Sequence, residues 1–125
     1  PYRCHRVGVQ NCGCIMILWS RVNELREEVG AEDFKEVVDL FLDEVEEVIE
    51  RLRADTNRGQ LEQDLHFLKG SALNLGFSTF SDLCQDGERL AAQGKPDDVD
   101  LAAIAEAYDR SKVNFLDGMR EHLAA

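Results

Sequence analysis

A helical repeat runs through residues 61–76, which read LEQDLHFLKGSALNLG. Apolar side chains recur there at steps of three and four residues and fall on one stripe of a helix with 3.6 residues per turn: Leu61, Leu65, Leu68, Ala72 and Leu75. The spacing predicts a helix from about Gln60 to Leu75 that buries this stripe. Gly76 is expected to end the helix, because glycine readily adopts the left-handed conformation found after helices.

A second stripe lies about a quarter turn from the apolar one and holds His66, Lys69, Gly70 and Leu73. Histidine is the side chain whose unperturbed pKa leaves a neutral, nucleophilic ring nitrogen available near pH 7. Lys69, one turn later, would place an ammonium group beside anything attached to that ring. Glycine costs about 1 kcal/mol relative to alanine within a helix. We therefore expect a steric reason for Gly70, namely the close approach of another molecule's backbone.

Four further amphipathic segments flank this helix. They are a short helix that Ser20 caps and that ends near Val29, a long helix over Glu32–Arg53, a helix from Ser78 to about Ala92, and a last helix that is capped near Asp98 and ends near Leu123. The links at residues 55–59 and 93–97 are short, and short links make neighbouring helices antiparallel. The sequence therefore predicts an all-α fold, an antiparallel four-helix bundle with an additional short N-terminal helix.

Composition and charge describe one acidic domain. The 125 residues suffice for a single core but not for a catalytic domain together with a regulatory one. Twenty-five acidic residues against fourteen basic ones give a net charge of −11, which repels nucleic acids and anionic membranes and attracts a partner with a basic docking rim. No apolar run approaches the roughly 20 residues that span a bilayer. We expect a soluble, cytoplasmic protein without a nucleic-acid or membrane partner.

Residues 1–17 differ in composition from the rest of the chain. They hold three of the four cysteines, they are basic where the remainder is acidic, and no helical period runs through them. We interpret them as an unstructured or vector-derived leader, with Met16 as a candidate natural start. The bundle is assigned to residues 18–125.

A metal site in this leader is the alternative interpretation. Zinc takes sulfur and imidazole ligands, and the segment offers four of them: Cys4, His5, Cys12 and Cys14. The spacing is not the usual pair of cysteines two residues apart, and no second pair follows. We therefore favour the leader and assign no metal ligand in this chain.

The motif H-x-L-K-G-S at residues 66–71, followed by Gly76 ten residues after the histidine, resembles the signature of histidine-containing phosphotransfer (HPt) domains. The resemblance extends over about residues 18–123, although only the segment from His66 to Gly76 is specific. HPt domains are the intermediate carriers of multistep phosphorelays. The resemblance implies a phosphorelay intermediate of two-component signal transduction, which accepts a phosphoryl group on His66 from a receiver-domain aspartate and passes it to another receiver.

The same resemblance implies roles for two charged residues near the histidine. Lys69 would compensate part of the phosphoryl charge, as cations do at phosphate sites generally. In HPt domains, the position twenty-two residues after the histidine is often a glutamine or glutamate that contacts and orients the imidazole, and here that position is Glu88. The alternatives are a solvated helix lysine and an ordinary surface glutamate.

A partner-binding surface around His66 is the third implication. Gly70 would let the partner's loops approach, and Leu73 and Phe77 would form an apolar rim around the histidine. For Leu73 and Phe77, a place in the core on a broad apolar face is the other interpretation.

The sequence contains no Walker A loop and no glycine-rich nucleotide lid, so we expect no ATP site and no enzyme activity. The chain would be a phosphotransfer carrier that binds no cofactor itself. In the resembling family, the partner's receiver domain supplies the acceptor aspartate and the acidic pocket that holds Mg²⁺. The partners would then be response-regulator receiver domains and a hybrid histidine kinase. A monomer suffices, because this chain contains all four helices of the bundle.

Two other functions remain open at this point. One is a helical scaffold or interaction domain in which His66 has no special role, and the other is a metal-binding protein that uses the N-terminal cysteines and His5. Neither explains why a glycine and a lysine accompany the histidine, so we favour the phosphorelay.

Overall fold

Five α-helices and one turn of 3-10 helix make up most of the described chain, which comprises residues 16–54 and 58–122 of a computed structural model. In chain order the helices are α1 (Trp19–Val29), α2 (Ala31–Ala54), α3 (Leu61–Leu75), α4 (Ser78–Ala92) and α5 (Leu101–His122), with the 3-10 turn Pro96–Asp98 between α4 and α5. The predicted all-α bundle with an additional short N-terminal helix is confirmed. Within the described ranges, none of these helices combines the length and apolar composition that crossing a bilayer requires.

The helix pair α3 and α4 has the most extensive packing in the bundle. α2 packs against α3, α5 packs against α4, and α2 and α5 meet to close the ring, while α1 lies against α2 and α3. The outer seam between α3 and α4 stays accessible, and the exposed side chain of His66 lies there.

The apolar stripe that the sequence predicts on α3 forms one wall of the core. All five of its members are buried: Leu61, Leu65, Leu68, Ala72 and Leu75. Phe77 and Phe115 fill the centre and meet edge to face, with ring centroids 5.3 Å apart. Full burial of one large apolar side chain contributes about 1.5–3 kcal/mol. The stripe therefore fixes which side of α3 faces the core and which side faces solvent.

Gly76 ends α3 as predicted, in the left-handed conformation with a φ of 78°. The chain before α1 pairs with this turn. The N–H of Leu18 donates to the carbonyl of Gly76 at 2.7 Å, and the N–H of Ser78 donates to the carbonyl of Met16 at 3.0 Å. These two hydrogen bonds hold the α3–α4 turn against the start of the described chain.

Met16 and Ile17 were assigned to the leader, but in the structure both pack against the bundle. Ile17 is buried and forms an isolated antiparallel bridge with Phe77, and Met16 packs against the core. The error arises because this contact is made by backbone pairing, which leaves no helical period in the sequence. Residues 1–15, with the leader interpretation and the candidate zinc ligands, lie outside the described residues.

Two predicted helix caps are also wrong. Ser20 lies inside α1, which begins at Trp19, because the backbone pairing of the preceding residue sets the start of that helix. Asp98 belongs to the 3-10 turn, and Asp100 caps α5 instead: its Oδ1 accepts a backbone N–H of the first turn at 3.0 Å. Proline at the first position of the 3-10 turn starts a separate short element before α5.

Polar contacts tie α2 to its neighbours. Glu46 accepts hydrogen bonds from the Tyr108 hydroxyl at 2.6 Å and from the Lys112 ammonium at 2.5 Å. Burial raises the pKa of Glu46, but Lys112 and Tyr108 outweigh it and hold that pKa below its ordinary value. Arg51 pairs with the buried Asp64 of α3 at 2.6 Å. These contacts join α2 to α5 and to α3.

The first prediction compares two glycines that have nearly the same backbone conformation. Gly76 and Gly94 have φ values of 78° and 79°, so alanine at either position is strained by about 1–2 kcal/mol. At Gly94 an added Cβ meets nothing within 4 Å, whereas at Gly76 it would lie 2.7 Å from the carbonyl oxygen of Leu18. We expect Gly76→Ala to lower the free energy of unfolding by at least about 1 kcal/mol more than Gly94→Ala, because overpacking adds to the strain. Urea denaturation measures both; equal losses would mean that the contact with Leu18 contributes nothing.

Candidate functional site

His66 lies on the outer seam of the bundle, where its side chain is 69% exposed. The residue is in the second turn of α3 and points away from the buried stripe. A ring with this exposure is accessible to a molecule as large as another protein. The structure thus places the predicted phosphoacceptor at the surface.

Glu88 reaches His66 from α4. Its Oε2 atom lies 2.9 Å from Nδ1 of the imidazole, across a sequence separation of 22 residues, and its side chain is only 19% exposed. The preceding residue, Gly87, allows this approach: a Cβ there would lie 2.9 Å from Leu65 Cδ1 and 3.1 Å from Val99 Cγ1. The lack of a side chain at Gly87 therefore brings α4 close enough to α3 for the contact.

Lys69 contacts the other oxygen of the same carboxylate. Its Nζ atom lies 3.0 Å from Oε1 of Glu88. Oε1 is fully buried, and the approach of Lys69 is close but is not aligned as a hydrogen bond. The predicted charge-compensating lysine is thus present beside His66, with its ammonium paired to a carboxylate.

The charge of Glu88 determines which nitrogen of His66 is reactive in the neutral ring. Burial raises the pKa of Glu88, but the Lys69 ammonium and the His66 ring outweigh burial and hold that pKa below its ordinary value of 4.5. Glu88 is therefore ionised at neutral pH and can only accept hydrogen bonds. Nδ1 of His66 must then be the donor, which leaves the lone pair of the neutral ring on Nε2.

Three more residues lie on the exposed side of α3 beside the histidine. A Cβ at Gly70 would meet nothing within 4 Å, so the fold of this chain does not require glycine there. Leu73 is 54% exposed. Phe67 is also exposed, which was not predicted from the sequence. Its position next to His66 and off the buried stripe is the signal that could have identified it.

The expectation that Phe77 belongs to an exposed apolar rim is wrong. Its side chain is 1% exposed, and its ring packs edge to face on Phe115 and at 6.2 Å from Tyr108. The left-handed turn at Gly76 redirects the chain toward the core, so Phe77 no longer follows the face of α3 that carries the histidine.

No group of three or more potential metal-binding side chains is found within residues 16–54 and 58–122. The contacts described above bring together one imidazole, one carboxylate and one ammonium, with an open glycine and exposed apolar side chains on the same side of α3.

Comparison with known families gives one match, and it covers the part of the chain that holds this site. A family model described as the Hpt domain matches residues 36–125, which is well over half of the chain and includes every residue of the site. The match begins within α2, so α1 and residues 16–18 lie before it. No curated protein and no solved structure was found to match the chain.

The second prediction concerns the titration of Glu88. The carboxyl carbon should titrate in NMR spectra with a midpoint below 4.5, because its folded-state pKa is lowered. A lowered pKa means that Glu88 stabilises the fold above the unfolded pKa of about 4.5, and that this contribution is lost as the pH falls through the folded value. In Lys69→Met the midpoint should move upward. A wild-type midpoint at or above 4.5 would contradict the assigned balance of charges.

Proposed function

Because this chain belongs to the family of Hpt domains, we propose that His66 is the residue that carries the phosphoryl group. Hpt domains serve histidine phosphotransfer in two-component signalling and are carriers rather than catalysts. The observation that supports His66 most directly is the pairing of its Nδ1 with Glu88 in a ring that is 69% exposed. This arrangement fixes the ring from one side and leaves Nε2 available on the other.

The transfer step follows from the tautomer. The lone pair on Nε2 attacks the phosphorus atom of an aspartyl phosphate on a receiver domain, and a bond from Nε2 to phosphorus forms. The bond between phosphorus and the aspartate oxygen breaks, and the aspartate leaves with the electron pair as a carboxylate. The proton on Nδ1 stays in place beside Glu88, so the attack needs no separate base. Transfer to the aspartate of a second receiver is the same step in reverse.

The partner supplies what this chain lacks. A receiver domain would bring the aspartate and the Mg²⁺ ion that neutralises the phosphoryl oxygens, while Lys69 adds a positive charge from this side. We propose accordingly that the chain binds no cofactor of its own and acts as a cytoplasmic monomer between a hybrid histidine kinase and a response regulator.

The docking surface surrounds the histidine. Gly70 leaves space for a loop of the partner, and the exposed side chains of Leu73 and Phe67 offer apolar contacts. The net charge of −11 favours association with a basic rim on the partner. These residues do not hold the bundle together, so their substitution should affect transfer more than folding.

The third prediction tests the phosphoacceptor. After incubation with a phosphorylated receiver domain and Mg²⁺, intact mass spectrometry should show one added phosphoryl group that is lost in acid and survives base. His66→Gln should abolish it, because an amide nitrogen is not a nucleophile.

The matched control is His122→Gln, which changes the histidine at the C-terminal end of α5 to the same residue. It should accept the phosphoryl group as the wild type does. If His66→Gln folds and still becomes phosphorylated, the assignment of the acceptor is wrong; if several phosphorylated receivers donate nothing to the wild type, the carrier function is wrong.

The fourth prediction separates stability from transfer at Gly70. Gly70→Ala should raise the free energy of unfolding by about 0.5–1 kcal/mol, because an open helical glycine costs backbone entropy. Gly70→Gln should slow transfer about tenfold or more, since a clash of about 1.4 kcal/mol with the partner's loop suffices for that factor. Ala102→Gln, at an exposed position on α5, is the control for a glutamine elsewhere. Unchanged transfer in Gly70→Gln would show that no partner approaches this position.

A further inference from the structure

The carboxylate of Glu88 contacts two side chains of α3 at this site, an imidazole and an ammonium group. Oε2 of Glu88 contacts Nδ1 of His66 at 2.9 Å, and Oε1 contacts Nζ of Lys69 at 3.0 Å. The ammonium that is available to stabilise a phosphoryl group is therefore already engaged when His66 is unmodified.

Oε1 of Glu88 has no hydrogen-bond partner in the described part of the chain, and the contact with Lys69 is what offsets its charge. Cys84 lies one turn before Glu88 on α4 and is fully buried. Burial and the charge of Glu88 raise the pKa of the thiol, so it is neutral. Oε1 is buried too, and removing Lys69 from it would leave a charged oxygen without compensation.

We propose that Glu88 competes with the phosphoryl group on His66 for Lys69 and thereby limits how strongly this chain retains the phosphoryl group. The inference rests on the proposed function of His66 and assigns Glu88 a second role besides orienting the ring. Lys69 has a flexible stem and lies one turn from His66, so its ammonium can turn toward a group on Nε2. It can do so only by weakening its contact with Oε1.

The competition lowers the stability of phosphohistidine. A phosphoryl group carries nearly two negative charges and attracts the ammonium, but the buried Oε1 opposes the exchange. Part of the stabilisation that Lys69 would give to phosphohistidine is therefore lost. The phosphoryl group stays easier to transfer onward than it would be beside a free lysine.

Glu88→Gln tests this competition because it removes the negative charge and keeps an oxygen that can accept the Nδ1 proton. The experiment mixes each variant with a phosphorylated receiver domain and Mg²⁺ and measures the equilibrium ratio of phosphohistidine to phosphoaspartate. The variants are the wild type, Glu88→Gln, Lys69→Gln and the double variant. Urea denaturation of each confirms that it is folded.

With Lys69 present, Glu88→Gln should raise the ratio about two- to fivefold, the range that a partly exposed ion pair allows. In the Lys69→Gln background, Glu88→Gln should raise the ratio by a factor that is smaller by about twofold or more. The reason is that no ammonium remains there to be released. The phosphorus NMR resonance of phosphohistidine should likewise shift on Glu88→Gln mainly when Lys69 is present.

An equal rise in both backgrounds would overturn the competition, because Glu88 would then act on the phosphoryl group directly. No rise with Lys69 present would overturn it as well. Both results require that the wild type is phosphorylated on His66, so they differ from a failure of the proposed function, in which no variant carries a phosphoryl group at all.

Discussion

The close packing of α4 on α3 at Gly87 is the constraint on which the site depends. A Cβ there would lie 2.9 Å from Leu65 Cδ1 and 3.1 Å from Val99 Cγ1, so glycine lets α4 pack closely on α3 without displacing these core side chains. Glu88, the next residue, is consequently held at the edge of the core, with one oxygen buried and the other directed at His66. The geometry of the imidazole is thus a consequence of apolar packing one residue away.

The residues that stabilise the fold lie on a different side of α3 from those that we propose to face the partner. The buried stripe of α3, the turn at Gly76 and the contact of that turn with Leu18 hold the helix in place. The opposite side of α3 carries an open glycine and two exposed apolar side chains, Phe67 and Leu73. A surface that does not hold the core together is free to match a partner, and apolar side chains beside the histidine suit such a contact.

Local patterns predicted most of the fold and only part of the site. The stripe of α3 and its end at Gly76 follow from residue spacing and from the backbone freedom of glycine, which act within a few residues. Phe77 was misassigned because the turn before it reverses the direction of its side chain, and the contribution of Met16 and Ile17 depends on pairing with a distant turn. The pairing of Lys69 with Glu88 could not be predicted, since it depends on the distance between two helices.

In the proposed function, the charges at the site favour onward transfer of the phosphoryl group over its retention on His66. A residue that holds a phosphoryl group between two aspartates must bind it neither so weakly that transfer to it fails nor so strongly that transfer from it fails. An unpaired lysine beside His66 would favour retention, whereas the structure places a carboxylate against that lysine. The same carboxylate contacts Nδ1 of the ring and, in the proposed function, orients it for attack. The two proposed roles of Glu88, orienting the ring and limiting retention, thus belong to one side chain on α4, next to the glycine at which α4 packs closely on α3.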